Sequence, residues 1–206
     1  MIGFYNYTVI LTYIGTMFGF VGMTYAWSGN LKMSLICLMV AGLCDMFDGK
    51  IASTMERTKP EKRFGIQIDS LSDLICFGVL PAVIVLQCSG MKLLHMIIAG
   101  AYVLCALIRL AWFNVDEEER QEREAKSREV YLGLPVTTAA LALPYFIAIA
   151  SMVKLPFQLI CPWILLAIAI GFITPFSLKK PGNIGKIVML LFGVLGFVLL
   201  LIGVKA

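Results

Sequence analysis

Seven runs of about twenty mostly apolar residues follow one another along the chain, at about 5–26, 32–52, 65–87, 92–113, 133–153, 158–176 and 184–204. A helix rises about 1.5 Å per residue, so each run can cross a hydrocarbon core of about 30 Å. Lipid offers no partner for a backbone N–H or C=O, which leaves helices as the way for such runs to span. The pattern predicts an all-α integral membrane bundle. Composition agrees, because 60% of the residues are hydrophobic where a soluble domain has roughly half. The N-terminus has neither a basic n-region nor a small-residue cleavage site, so the first run is expected to be retained.

Charge orients the bundle. Arg57, Lys59, Lys62 and Arg63 lie between runs two and three; Arg120, Arg123, Lys126 and Arg128 between four and five; Lys179, Lys180 and Lys186 between six and seven. The alternate connections carry about one cation each, Lys32, Lys92 and Lys154. Cationic loops stay cytoplasmic, which predicts a multi-pass protein of the inner (plasma) membrane with residues 53–64 facing the cytoplasm. The net charge of +4 reads as this topology signal and as attraction for anionic headgroups, not as a nucleic-acid surface. The mixed run 116–129 reads as a solvated cytoplasmic helix. The six cysteines form no C-x-x-C pair and mostly fall inside apolar runs, so they read as small buried hydrophobes. His95 has no second histidine with which to share a metal.

Four aspartates interrupt the oil. On a helix, Asp45, Asp48, Gly49 and Ala52 share one face, and so do Gly65, Asp69 and Asp73. A short connection makes the two helices antiparallel neighbours, so the four carboxylates converge at the cytoplasmic end. Unpaired carboxylates at close range repel one another. A hard divalent cation (Mg²⁺ or Mn²⁺, with Ca²⁺ also open) removes the repulsion, and oxygen-only ligands select such ions. Gly49, Ala52 and Gly65 let a bulky ligand or the other helix approach the backbone. Metal, access and nearby cations describe a site for a phosphate-bearing ligand. Structural ion pairs to Lys50, Arg57 or Arg109 are the bland explanation for one such acid, but nothing in packing requires four in register. A divalent-cation transporter is the rival from another class. Transporters place such acids near mid-membrane in repeated halves, whereas here they cluster at one edge and no half-repeat is visible.

The motif Asp45-x-x-Asp48-Gly49-x-x-Ala52, followed by Gly65-x-x-x-Asp69-x-x-x-Asp73, resembles the signature of the CDP-alcohol phosphotransferases. The resemblance implies an integral membrane enzyme with a six-helix core, here about residues 1–178 of a single 1–206 unit, with the helix at 184–204 as an addition. It implies a homodimer that moves a phosphoryl-linked group from a CDP-alcohol to a second alcohol and releases CMP. By the same resemblance Asp45, Asp48 and Asp69 hold divalent metal, while Asp73 shares the metal and acts as base. Asp45, Gly49, Ala52, Ser53, Arg57, Lys62 and Gly65 are expected to border the CDP-lipid. Two departures stand out: the family's usual Arg after the Ala is Ser53, and eleven residues, a longer spacer than usual, separate Ser53 from Gly65. Arg57, Lys59, Lys62 or Arg63 is expected to take over the missing phosphate contact.

Three further stretches, DSLSDLICFGVLP (69–81), RLAWFN (109–114) and YLGLPVTTAA (131–140), resemble the bacterial and archaeal phosphatidylserine synthase branch. That implies CDP-diacylglycerol and L-serine as substrates and phosphatidylserine and CMP as products. Glycerol 3-phosphate or inositol phosphate is the alternative acceptor. Arg109, Asn114 and Thr137 are the candidates for binding serine.

Overall fold

The computed structural model describes residues 2–123, 130–179 and 183–204. Among them, eight helices build seven rods: α1 (Tyr7–Trp27), α2 (Leu31–Ala52), α3 (Lys59–Asp73) continuing through a wide π-type turn (Leu74–Val79) into α4 (Leu80–Ser89), α5 (Leu93–Arg123), α6 (Ala139–Met152), α7 (Phe157–Ile173) and α8 (Asn183–Gly203). Each rod falls on one of the seven apolar runs. By length and composition α1, the α3–α4 rod and α5 are long and apolar enough to cross a membrane. In α2, every 18-residue window holds three of Lys32, Asp45, Asp48 and Lys50, which is the cost of carrying half of the acid cluster. Large side chains such as Met17, Phe20, Leu104, Ile108, Trp163 and Ile170 face outward, as suits an exterior solvated by lipid. The protein is an integral membrane α-helical bundle.

Caps fix the starts of the helices that carry the acids and their support. Asn6 accepts from the Thr8 N–H (3.2 Å) at α1, and Asn30 from the Met33 N–H (3.1 Å) at α2. Thr58 and Glu61 form a capping box at α3, with a proline in the first turn. This box corrects the expected boundary: the helix begins at Lys59, not near Gly65, and the spacer is mostly helix. Lys59, Lys62 and Arg63 therefore sit on the exposed first turns of α3. The charged stretch after residue 113 continues α5 without a break to Arg123. Of the basic positions used for orientation, Lys126, Arg128 and Lys180 lie outside the described residues.

Close backbone approach holds α1 against its neighbours. A Cβ built on Gly15 would stand 3.3 Å from Cys44 Cβ, one on Gly22 3.0 Å from Cys37 Cβ, and one on Gly19 2.7 Å from Cys76 Sγ. These three positions bring α1 onto both acid-bearing rods. The core below the acids is apolar: Leu35, Leu38, Phe77, Leu80, Ile84, Tyr102, Leu143, Leu165 and Phe172 are fully buried. α8 packs on α6, and the Lys32 ammonium and Ser151 hydroxyl donate to the Leu201 and Gly203 carbonyls at its end (2.9 and 2.7 Å). One three-residue antiparallel ladder, Val130–Leu132 with Ser177–Lys179, joins the segments before α6 and after α7, a pairing too short to leave a sequence signal. The cysteines are free, and Cys37, Cys76 and Cys161 are buried.

Candidate active site

α2 presents Asp45 and Asp48, and α3 presents Asp69 and Asp73. Carboxylate oxygens of Asp45, Asp48 and Asp69 all lie within 4.8 Å of one another. The Asp73 carboxyl, one turn beyond Asp69, comes within hydrogen-bonding reach of Asp45, as Asp69 does of Asp48. Among the described residues no lysine or arginine neutralises any of the four. That removes the bland explanation by structural ion pairs. Asp48 is 8% exposed and accepts a hydrogen bond from Thr12 Oγ1 of α1 at 3.2 Å. Next to it Thr16 Oγ1 donates to Ser72 Oγ at 2.7 Å, tying α1 to α3 between Asp69 and Asp73. In the sequence, only their i,i+4 spacing beside Gly15 and Gly19 marks Thr12 and Thr16.

Two oxygens bonded to one metal at about 2.0–2.6 Å stand at most about 4–5 Å apart. The observed separations meet that limit, and the donors are all hard oxygens, so a divalent metal of the Mg²⁺ or Mn²⁺ type fits Asp45, Asp48 and Asp69. A cavity of about 10 Å³ beside them, lined by Thr12, Gly15, Cys44, Asp45, Ser72 and Asp73, has room for about one water and no more. A larger ligand must approach from elsewhere. Gly49 offers the space: a Cβ there would meet nothing within 4 Å.

The loop before α3 delivers one cation. Arg57 Nη1 stands 3.0 Å from where a Gly65 Cβ would be, so the guanidinium lies over the glycine on the acid face of α3. Arg57 Nε is buried and has no hydrogen-bond partner among the described residues. The loop is pinned from α1, where Tyr7 Oη meets Thr54 Oγ1 at 3.1 Å and Asn6 Nδ2 donates to Glu61 Oε1 at 3.2 Å. Ser53 is exposed and its hydroxyl turns back to the Lys50 carbonyl (2.7 Å). Lys62 is exposed, and Ala52 is half-buried on the acid side of α2.

α5 lines the other flank. Ser70 Oγ donates to Asn114 Oδ1 (2.6 Å), Asn114 Nδ2 to Gln67 Oε1 (3.4 Å), and Gln67 Nε2 to Glu118 Oε1 (3.3 Å). Asn114, expected at the acceptor, is thus also a brace for the helix that carries Asp69. Arg109 is 7% exposed, donates from Nε to the Leu134 carbonyl (3.4 Å) and lies over the Trp112 and Phe113 rings, 5.7 and 5.9 Å from their centres. α5 runs antiparallel to α3–α4, with Asn114 opposite Ser70 and Tyr102 opposite Phe77, so Arg109 falls at the level of Asp73. Gly133 takes φ +76°, and a Cβ there would stand 3.2 Å from the Phe172 carbonyl. Only glycine suits that turn. It leads into the 3₁₀ turn Val136–Thr138, which carries Thr137 and buries Val136 and packs against α5 and the wide turn.

Residues 5–175 match the sequence model of the CDP-alcohol phosphatidyltransferase family. The chain belongs to that family. Among curated relatives, the archaetidylserine synthase of Methanothermobacter thermautotrophicus is 28% identical over 66% of this chain and 55% of its own length. The CDP-diacylglycerol–serine O-phosphatidyltransferase of Saccharomyces cerevisiae is 36% identical over 51% of this chain and 38% of its own. The enzyme of the same name from Helicobacter pylori is 28% identical over 66% and 54%. The chain spans about half the length, or less, of the curated relatives it matches. In this CDP-alcohol phosphatidyltransferase family member the matched segment ends before α8.

Proposed function

We propose that the protein transfers the phosphatidyl group of CDP-diacylglycerol to the hydroxyl of L-serine, giving phosphatidylserine and CMP. The observation that carries this is the convergence of Asp45, Asp48 and Asp69 to metal-ligand distance, with Asp73 beside them and no cation among the described residues paired to any. The names of the relatives support serine as acceptor. Residues 1–206 act as one catalytic unit, a core of about 1–178 followed by the helix at 184–204, in a homodimer. The acid end faces the cytoplasm of the inner membrane, in line with the cationic connections.

Asp45, Asp48 and Asp69, with Asp73 sharing, would hold a divalent ion, which would supply positive charge against the diphosphate. Arg57 contacts the diphosphate from above Gly65, the role that Ser53 leaves vacant, and Lys62 adds an outer charge. Gly49, Ala52 and Gly65 give the cytidine room along the backbone. Asp73 takes the proton of the serine hydroxyl. The serine oxygen bonds to the phosphorus that bears diacylglycerol, the bond from that phosphorus to the CMP phosphate breaks, and CMP leaves with the electron pair. Arg109, at the level of Asp73, meets the serine carboxylate, while Asn114 and Thr137 border the amino acid.

The test is CMP release from CDP-diacylglycerol by purified protein, offered serine, glycerol 3-phosphate or inositol phosphate, each with and without EDTA. Serine-dependent release that EDTA stops is expected. Release with a phosphorylated alcohol alone overturns the acceptor assignment, and release indifferent to EDTA overturns the metal.

A further inference from the structure

The wide turn Leu74–Val79 follows directly on Asp73, and it has an identifiable cause. In an α-helix the N–H of residue 81 would return to the carbonyl of residue 77. Pro81 has no N–H, and its ring crowds that carbonyl. The chain answers by widening: the Leu80 N–H reaches five residues back to the Ile75 carbonyl. The Phe77 carbonyl receives a different donor, the Tyr102 hydroxyl of α5, at 2.6 Å. Tyr102 is fully buried and its ring packs against Phe172 of α7, with centres 5.4 Å apart. Ala106, one turn on, faces Gly78, where an added Cβ would come within 3.4 Å of the alanine methyl.

The wide turn is a joint between two halves with different duties. Below it, Leu80, Ile84 and Val85 are locked in the core. Above it, Asp69 and Asp73 must aim at Asp45 and Asp48. Closing the turn to α-geometry would remove an offset of one residue, about 100° of rotation, and with α4 fixed the acids would bear it. We propose that Tyr102 is a positioning residue of the acid cluster: its hydroxyl replaces the amide proton that Pro81 withholds, and so holds the turn that sets the direction of Asp69 and Asp73. The functional part of this inference rests on the activity proposed above.

Three variants test it: Tyr102→Phe, Pro81→Ala and the double. Each is measured in detergent for thermal midpoint, Mn²⁺ affinity and CMP release. Tyr102→Phe is expected to weaken Mn²⁺ binding and lower kcat at least tenfold at temperatures well below its midpoint. Pro81→Ala restores a donor to Phe77, so the loss of midpoint caused by Tyr102→Phe should be markedly smaller in the Pro81→Ala background. If Tyr102→Phe does not fold, recovery of folding in the double variant supports the inference and its failure there counts against it. Additive losses of midpoint, or a Tyr102→Phe protein with wild-type Mn²⁺ affinity and turnover, overturn it. A wild-type protein that binds Mn²⁺ but releases no CMP with any alcohol would refute the proposed activity while leaving the midpoint and Mn²⁺ comparisons decisive.

Discussion

Asp73 and Arg57 bring opposite charges to one site, and their removal should leave opposite kinetic signatures. Asp73→Asn keeps the shape and hydrogen-bonding size of the side chain but cannot serve as the proposed base. General-base catalysis contributes about 10²- to 10⁴-fold, so kcat for CMP release should fall by about that factor with the thermal midpoint within a few degrees of wild type. Arg57→Ala should instead act on the CDP-lipid. A hydrogen bond to a charged group contributes about 1.5–3 kcal/mol, or about ten- to a hundredfold in affinity, so KM for CDP-diacylglycerol should rise by that order while KM for serine moves little. Arg57→Lys should recover only part of the loss, since an ammonium lacks the guanidinium fork. Equal changes in both KM values would remove Arg57 from the diphosphate. The position of Arg57 over Gly65 was not legible in the sequence. Four cations stood in one spacer, and only the helix start at Lys59 sends three of them outward and leaves Arg57 over Gly65.

At the scale of elements, the small residues of α1 decide how near the acids come to one another. In Gly19→Ala the new methyl would overlap Cys76 Sγ at 2.7 Å. Overpacking of this kind costs about 1–3 kcal/mol. The variant should lose thermal midpoint in a melting experiment, and adding Cys76→Ala should restore most of it, because the remaining neighbours stand at ordinary contact distance, 3.5 Å and beyond. No recovery would mean that α1 is held off by something other than this sulfur. Helical periodicity made the two acid faces readable in advance, since Asp45, Asp48, Gly49 and Ala52 fix their own phase, as do Gly65, Asp69 and Asp73. The capping box Thr58–Glu61 was also in plain view, but its charged surroundings suggested a loop. The brace from Ser70 to Asn114 was not readable, because its partners lie 44 residues apart and only packing introduces them. Pro81 signalled a disturbed helix without saying that a tyrosine on another rod would complete it.

For the whole molecule, α8 is the element with the least claim on the chemistry. It lies beyond the matched residues 5–175 and packs mainly on α6, with Tyr145 filling the space over Gly196. A protein ending at about residue 180 should therefore melt at a lower temperature yet bind Mn²⁺ with an affinity within about threefold of the full chain, as measured by titration in detergent. A truncated but well-folded protein that has lost its Mn²⁺ affinity would show that α8 reaches the site after all. The four carboxylates themselves all come from one helical hairpin, between residues 45 and 73. Contacts this local close early in folding, so the hairpin can take shape while the later helices are still leaving the ribosome. The rods that follow then set its aim, α5 through the Tyr102 hydroxyl on the Phe77 carbonyl, so errors late in biogenesis should yield bundles whose hairpin has formed but whose acids converge poorly.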